Sequence, residues 1–280
     1  MKPVAFEYDD PRTVEEVLDL LAEHGDEAKL LAGGQSLVPL LNFRIVRPAR
    51  VIDLNGVAEL AGVREEDGTL RIGALTRVRE LEAGGQPLVA DALRHAGHPQ
   101  IRSRGTAGGA VAHADPASEL PAVLLALDAS FSIRSARGGE RTVAARDMFV
   151  GPFTTQLAPH ELLVEIAVPP LPPRTGAGFA EAAPAHGAFA TAGVAATLTL
   201  DEDGTCAQAT LAVLAATATP VRLGGAEASL VGRRPDEAID DAAAVAAREI
   251  EPMANERIGG DYLRALVAEL TRRALREAAA

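Results

Sequence analysis

The run Pro169-Pro170-Leu171-Pro172-Pro173 constrains this chain more than any other stretch of its 280 residues. Proline has no backbone N–H for a sheet ladder and its ring fixes φ, so no strand or helix continues through such a run. The chain is therefore expected to build one body before it and another after it, at 1–170 and 174–280, with the first divided again near residue 57. Length agrees, since domains hold roughly 100–200 residues each. The balance of 39 acidic against 27 basic residues gives a net charge of -12, which argues against a nucleic-acid binder. A lone cysteine, Cys206, excludes an internal disulfide and any iron–sulfur site held by this chain alone. With no signal-peptide pattern and no run of about 18 apolar residues, a transmembrane segment is not expected, and the location expected is cytoplasmic.

Local patterns fill the two bodies. Thr13-Val14-Glu15-Glu16 is a capping box, followed by Val14, Val17, Leu18 and Leu21 on one helical face and a stop at Gly25. Ala28 to Ala32 and Arg50 to Leu54 read as strands around a short helix, a small βαβ unit. Hairpins are expected around Asp67-Gly68, Gly138-Gly139 and Asp203-Gly204, and a further strand at Leu162 to Val168. The segment 101–110 reads as a stretch rich in glycine and arginine, and a helix is expected from Asp115-Pro116 to Leu127. Two alanine-rich helices, 235–250 and 261–280, close the chain.

Two stretches could carry chemistry. Ala32-Gly33-Gly34-Gln35-Ser36 ends a buried strand, where adjacent glycines and a hydroxyl suit either a pyrophosphate or a plain strand-to-helix turn. It is neither a Walker A loop nor a G-x-G-x-x-G fingerprint. Thr106-Ala107-Gly108-Gly109 repeats the same elements, so the pair could grip a diphosphate from both sides. Arg102 and Arg104 are anion contacts or carboxylate partners, Asp115 a helix cap, and Glu119 a possible ligand acceptor. His95, His98 and His113 lack the spacing of a recognisable metal motif, and no nucleophile motif supports hydrolysis. Valine at Gly34 or Gly108 is expected to abolish ligand binding and leave the protein folded.

Three stretches together carry a resemblance: LLAGGQSLVPLLNFRIVRPARVIDLN (30–55), IGALTRVRELE (72–82) and IRSRGTAGGAVAHADPASELPAVLLALDA (101–129). The chain resembles, over essentially its whole length, the FAD-binding medium subunit of molybdenum hydroxylases. These include the aerobic carbon monoxide dehydrogenase group and, more distantly, xanthine dehydrogenase. The resemblance implies an α+β protein with a PCMH-type FAD-binding fold: a small βαβ subdomain, then a mixed or antiparallel sheet. A smaller C-terminal α+β domain with a short antiparallel sheet and helices would follow.

It also implies where FAD sits. Lys29, Leu30 and Leu31 would lie along the cofactor. Ala32, Gly33, Gly34, Gln35, Ser36 and Leu37, with Thr106, Ala107, Gly108 and Gly109, would hold its pyrophosphate. Glu119 matches an acidic FAD contact and Leu163 an apolar residue near the flavin, and Phe189 either covers the isoalloxazine or is a core residue. The family usually has Asn at Ser103 and Ala110 and Asp at Ala188; a lysine of the xanthine branch is missing at Ala180. Phe189 stands where the carbon monoxide branch more often has Tyr. By resemblance the chain takes electrons from a [2Fe-2S] small subunit beside a molybdopterin large subunit, within a heterohexamer built as a dimer of heterotrimers. It passes them to an external acceptor. The competing readings are a stand-alone FAD-dependent oxidase acting on a small molecule and a flavin-free scaffold.

Overall fold

The computed structural model describes residues 1–84 and 86–280. Its first part is a parallel sheet of β1 (Glu7–Asp9), β2 (Ala28–Leu31) and β3 (Arg50–Asp53), in the order β1-β3-β2. Helix α1 (Val14–His24) starts on the expected capping box: Thr13 Oγ1 accepts from the Glu16 N–H at 3.2 Å, and the Glu16 carboxylate accepts from the Thr13 N–H at 3.3 Å. Its buried face, Val14, Val17, Leu18 and Leu21, packs with Ile52 and Leu54. Helix α2 (Leu37–Asn42) makes the crossover from β2 to β3. Strand β1 was not expected, since three mostly exposed residues carry no readable period.

The second part is an antiparallel sheet in which residues 63–66, 69–73, 162–168, 130–135 and 139–144 lie side by side in that order. Strands β4 (Val63–Glu66) and β5 (Thr69–Gly73) meet at Asp67 and Gly68, both with φ in the left-handed region, as an Asp-Gly hairpin requires. Helices α3 (Val78–Gly84), α4 (Pro87–Leu93), α5 (Pro99–Arg104), α6 (Ala107–His113) and α7 (Glu119–Ala126) follow. Then come β6 (Ser130–Ser135), β7 (Gly139–Ala144), the short α8 (Ala145–Met148), a ribbon of β8 (Phe149–Gly151) with β9 (Thr154–Thr155), and β10 (Leu162–Val168). Residues 101–110 are thus the end of one helix and the start of another. The helix expected at Asp115 begins at Glu119, because Asp115 Oδ1 accepts from the Ala117 N–H at 2.9 Å and folds 115–118 into a turn.

After the proline run, β11 (Thr175–Ala182), β12 (Ala192–Leu200), β13 (Cys206–Leu214) and β14 (Val221–Arg222) form a second antiparallel sheet. One face carries α9 (Gly224–Leu230), α10 (Pro235–Glu249) and α11 (Gly260–Ala278). Strand β11 escaped the sequence reading for a packing reason. A Cβ at Gly176 or Gly178 would run into the Ala278 and Ala274 carbonyls of α11, so small residues replace the alternation that marks a strand. The other face receives α7, all eight residues of which are buried. The Thr210 hydroxyl donates to the Ala126 carbonyl at 2.7 Å, and Arg222 Nη1 to the Leu125 carbonyl at 3.3 Å, so this sheet satisfies the open end of α7. Phe179, Ala195, Ala212 and Leu214 share one core with α7 and Phe131. No helix among the described residues is long and apolar enough to cross a membrane.

Candidate FAD site

The first glycine loop leaves β2 at Leu31 and turns through Gly34, whose φ of +75° is the left-handed conformation that glycine adopts without strain. Among the described residues, the N–H groups of Gly33, Gly34, Gln35, Ser36 and Leu37 donate to no protein acceptor. Pairing resumes at Val38, whose N–H reaches the Gly34 carbonyl at 3.1 Å. Five consecutive free donors on a partly buried loop are the groups an anion needs. The Gln35 amide folds back onto the Gly33 carbonyl at 3.2 Å, while Ser36 stands at the helix-cap position with no capping bond. Lys29 is exposed, and Leu30 and Leu31 are partly buried on the strand leading in. A diphosphate fits this donor set.

The second loop looks alike in sequence and is built differently. The Thr106 hydroxyl caps α6 by accepting from the Gly109 N–H at 3.2 Å. The Ala107 and Gly108 N–H groups donate to the carbonyls of Thr76 and Ala74 at 2.9 and 2.8 Å, and Ala110 to Thr106 at 3.0 Å. The backbone N–H groups of the expected second row are therefore taken up within the protein, and the Thr106 oxygen accepts within its own helix while its O–H remains a donor. Gly108 is glycine because a Cβ there would lie 2.6 Å from that of Ala74. Gly33 answers a similar need: a Cβ would meet the Arg104 carbonyl and sit 2.8 Å from the Gly105 Cα. The two loops thus touch backbone to backbone, with a Cβ at Gly109 3.8 Å from that of Ala32.

Sequence reasoning missed the residues that tie the loops together. Asn55 donates through Nδ2 to the Ala32 carbonyl at 2.9 Å and accepts from Arg77 Nη2 at 2.7 Å. Arg77 Nη1 donates to the Arg104 carbonyl at 2.6 Å, so one continuous set of hydrogen bonds runs from the first loop to the second. Asp53 supports it, accepting from Asn55 and from the Tyr8 hydroxyl at 2.6 Å. Burial alone would raise the Asp53 carboxyl; the hydrogen bonds from Tyr8 and Asn55 outweigh it and hold the group below its ordinary value. Asn55 ends the motif RVIDLN and Arg77 lies within GALTRV, but only the folded register places them face to face.

The remaining candidates differ in burial. Leu163 is buried in the central core with Ala107 and Val111, at a break in strand register between Leu163 and Glu165. Glu119, at the first turn of α7, is buried, which pushes its carboxyl up to about 7, with the Asp115 charge adding to the effect. Phe189 is 76% exposed on the loop after β11, so it is not a core residue. That loop lies against α5: Gly187, at φ +76°, leaves room where a Cβ would come within 2.6 Å of the His98 ring. Arg102 is buried and paired with Glu82 at 2.7 Å while it donates to the Gly97 carbonyl, so it is a structural arginine. His95 and His98 both stand beside His186, His95 also against the Phe179 ring, whereas His113 faces Phe153.

Comparison with known proteins matches the length of the chain. A family described as FAD binding domain in molybdopterin dehydrogenase matches residues 4–171, and one described as CO dehydrogenase flavoprotein C-terminal domain matches residues 177–278. The 6-hydroxypseudooxynicotine dehydrogenase complex subunit alpha of Paenarthrobacter nicotinovorans is 42% identical, over 99% of this chain and 96% of its own length. The carbon monoxide dehydrogenase medium chain of Hydrogenophaga pseudoflava is 36% identical over 99% of this chain and 98% of its own. A solved carbon monoxide dehydrogenase from the same organism has a TM-score of 0.95 at 38% identity, covering 99% of this chain and 98% of that one. Quinoline 2-oxidoreductase from Pseudomonas putida 86 has a TM-score of 0.93 at 33% identity, covering 100% and 98%.

Proposed function

The chain belongs to the FAD-binding medium subunits of the carbon monoxide dehydrogenase and xanthine dehydrogenase family of molybdenum hydroxylases, and from that premise we propose that it carries electrons from an iron–sulfur partner to an external acceptor. The partners are a [2Fe-2S] small subunit and a molybdopterin large subunit, in a cytoplasmic heterohexamer. The chain divides at the proline run into an FAD-binding domain, 1–170, and a C-terminal domain, 174–280. One observation supports the site above all: the five free N–H groups from Gly33 to Leu37.

When bound, FAD supplies the redox chemistry, since a flavin can take electrons singly and release them as a pair. The chain's own residues bind and orient. The first loop neutralises the diphosphate with backbone dipoles, and the Ser36 hydroxyl adds a donor. Lys29 to Leu31 lie along the cofactor. Thr106 to Gly109 press the second helix start against the first loop and fix its shape. Glu119, Leu163 and Phe189 stand toward the flavin end, where the exposed Phe189 ring has a face free for stacking.

The test begins with the purified chain and its visible spectrum after addition of FAD. Stoichiometric flavin absorbance is the expected result, and none would end the reading. Co-purification should then bring down an iron–sulfur and a molybdenum subunit. Turnover of a small molecule by the chain alone would favour the oxidase instead.

A further inference from the structure

Glu181 lies near the end of β11 with its side chain only 3% exposed. Its Oε2 has no hydrogen-bond partner, and Oε1 stands 4.0 Å from His95 Nδ1. Buried carboxylate oxygens are rarely left so. A cavity of about 180 Å³ opens beside it, with His95, Glu181, His186 and Gly187 in its wall. Glu119, at the start of α7, is buried as well, and its charge acts on Glu181. Among the described residues neither carboxylate forms an ion pair with a lysine or arginine. Arg102 is the cation that acts on Glu119, and it is already paired with Glu82.

We propose that Glu119 and Glu181 together hold one proton at neutral pH, and that the cavity walled by His95 is the route by which this proton exchanges with water. The physical reason is that two like charges in a poorly solvated site cannot both ionise freely. Burial, with the Glu119 charge second, pushes Glu181 up to about 8, above Glu119 at about 7. Asp115 adds a further negative charge facing Glu119. His95 is faced by Asp91, Arg94, His186 and Glu277, and burial lowers its pKa, which keeps the imidazole neutral. A neutral imidazole accepts at one nitrogen and donates at the other, so it can pass a proton from cavity water to a Glu181 oxygen and back. No electron moves in this exchange. As an O–H bond forms on the carboxyl the facing His95 N–H bond breaks, and a new N–H bond forms at the other ring nitrogen as a water O–H bond breaks and leaves hydroxide to the solvent. The inference rests on the proposed function only in setting this acid beside FAD, where a proton would be at hand as electrons arrive.

Infrared spectroscopy of the full chain without added FAD tests it. The C=O stretch of a protonated carboxyl is expected at neutral pH, fading as the pH passes about 8. Glu181→Gln, which keeps shape, should remove the part of the band that persists to that pH, and Glu119→Gln should move its midpoint downward. His95→Leu should slow the deuterium shift of the band. Absence of the band at neutral pH, or a band untouched by both glutamine variants, overturns the proton pair; an unchanged exchange rate overturns the route. FAD absorbance of the same preparations separates the two readings. A chain that keeps the band and takes no FAD defeats the proposed function alone. A chain that takes FAD and lacks the band defeats this inference alone.

Discussion

Among the described residues, the backbone N–H groups of Gly33 to Leu37 have no protein acceptor, whereas those of Ala107 to Ala110 are bonded to carbonyls or to the Thr106 hydroxyl. Both stretches pair two glycines with a hydroxyl, yet one presents donors and the other buttresses it. The glycines differ accordingly. Gly34 is needed for its positive φ, while Gly108 and Gly33 are needed because another backbone lies where a Cβ would be. A glycine pair therefore marks either a ligand's approach or the chain's own, and only the hydrogen-bond census tells which.

The largest effect that separates the two loops is expected at Gly108. A valine there would force its Cβ within 2.6 to 2.9 Å of the Ala74 side chain and backbone, in a buried position that also donates to the Ala74 carbonyl. Overpacking against backbone costs about 3 kcal/mol or more, so the variant should lose much of its urea-unfolding transition, and FAD with it. This outcome is opposite to the one expected from the sequence, a variant that stays folded. Gly34→Val should behave otherwise. Its φ makes any side chain strained by about 1–2 kcal/mol, but its neighbours, Val38 Cγ2 and Leu31 Cδ1 at 3.2 and 3.3 Å, are ends of side chains that can shift. The fold should persist while FAD titration shows an affinity loss of about tenfold or more. A folded, FAD-free Gly108→Val would break the comparison.

Next in size is the link between the loops. Arg77→Ala removes the bonds to the Arg104 carbonyl and to Asn55, and Asn55→Ala removes the bond to the Ala32 carbonyl. Each should weaken FAD by about 1–2 kcal/mol in isothermal titration, and the double variant should fall short of additivity by about 1 kcal/mol. Strict additivity would mean that the two side chains act separately and that the loops need no tie.

Much of this was legible along the chain, and the failures have physical causes. The capping box, the Asp-Gly hairpins and the terminal helices follow from local chemistry that tertiary packing does not override. Strand β11 was hidden because α11 demands small residues at Gly176 and Gly178. The helix start was misplaced because Asp115 can cap a helix or an Asx turn with the same oxygen. At the site, the glycine pairs were visible, but whether an N–H is free is decided by partners such as Ala74 and Thr76, about thirty residues away in sequence. Asn55 and Arg77 lie inside motifs, but their roles arise only where residues 32, 55, 77 and 104 meet, and that of Glu181 only where β11 meets His95.

The two hydroxyls give the smallest and most selective contrast. Thr106 caps α6, so Thr106→Ala should cost about 1 kcal/mol in chemical denaturation, and Thr106→Ser should recover most of it. Ser36 makes no capping bond, so Ser36→Ala should change stability by less than about 0.5 kcal/mol. Its effect should appear instead in FAD affinity, by the worth of one hydrogen bond to a charged group, about 1.5–3 kcal/mol at most. The two variants thus move different measurements, one the unfolding midpoint and the other the titration. If Ser36→Ala lowered stability and left FAD affinity alone, the first loop would be a buttress like the second, and the free N–H groups would have to be explained without a diphosphate.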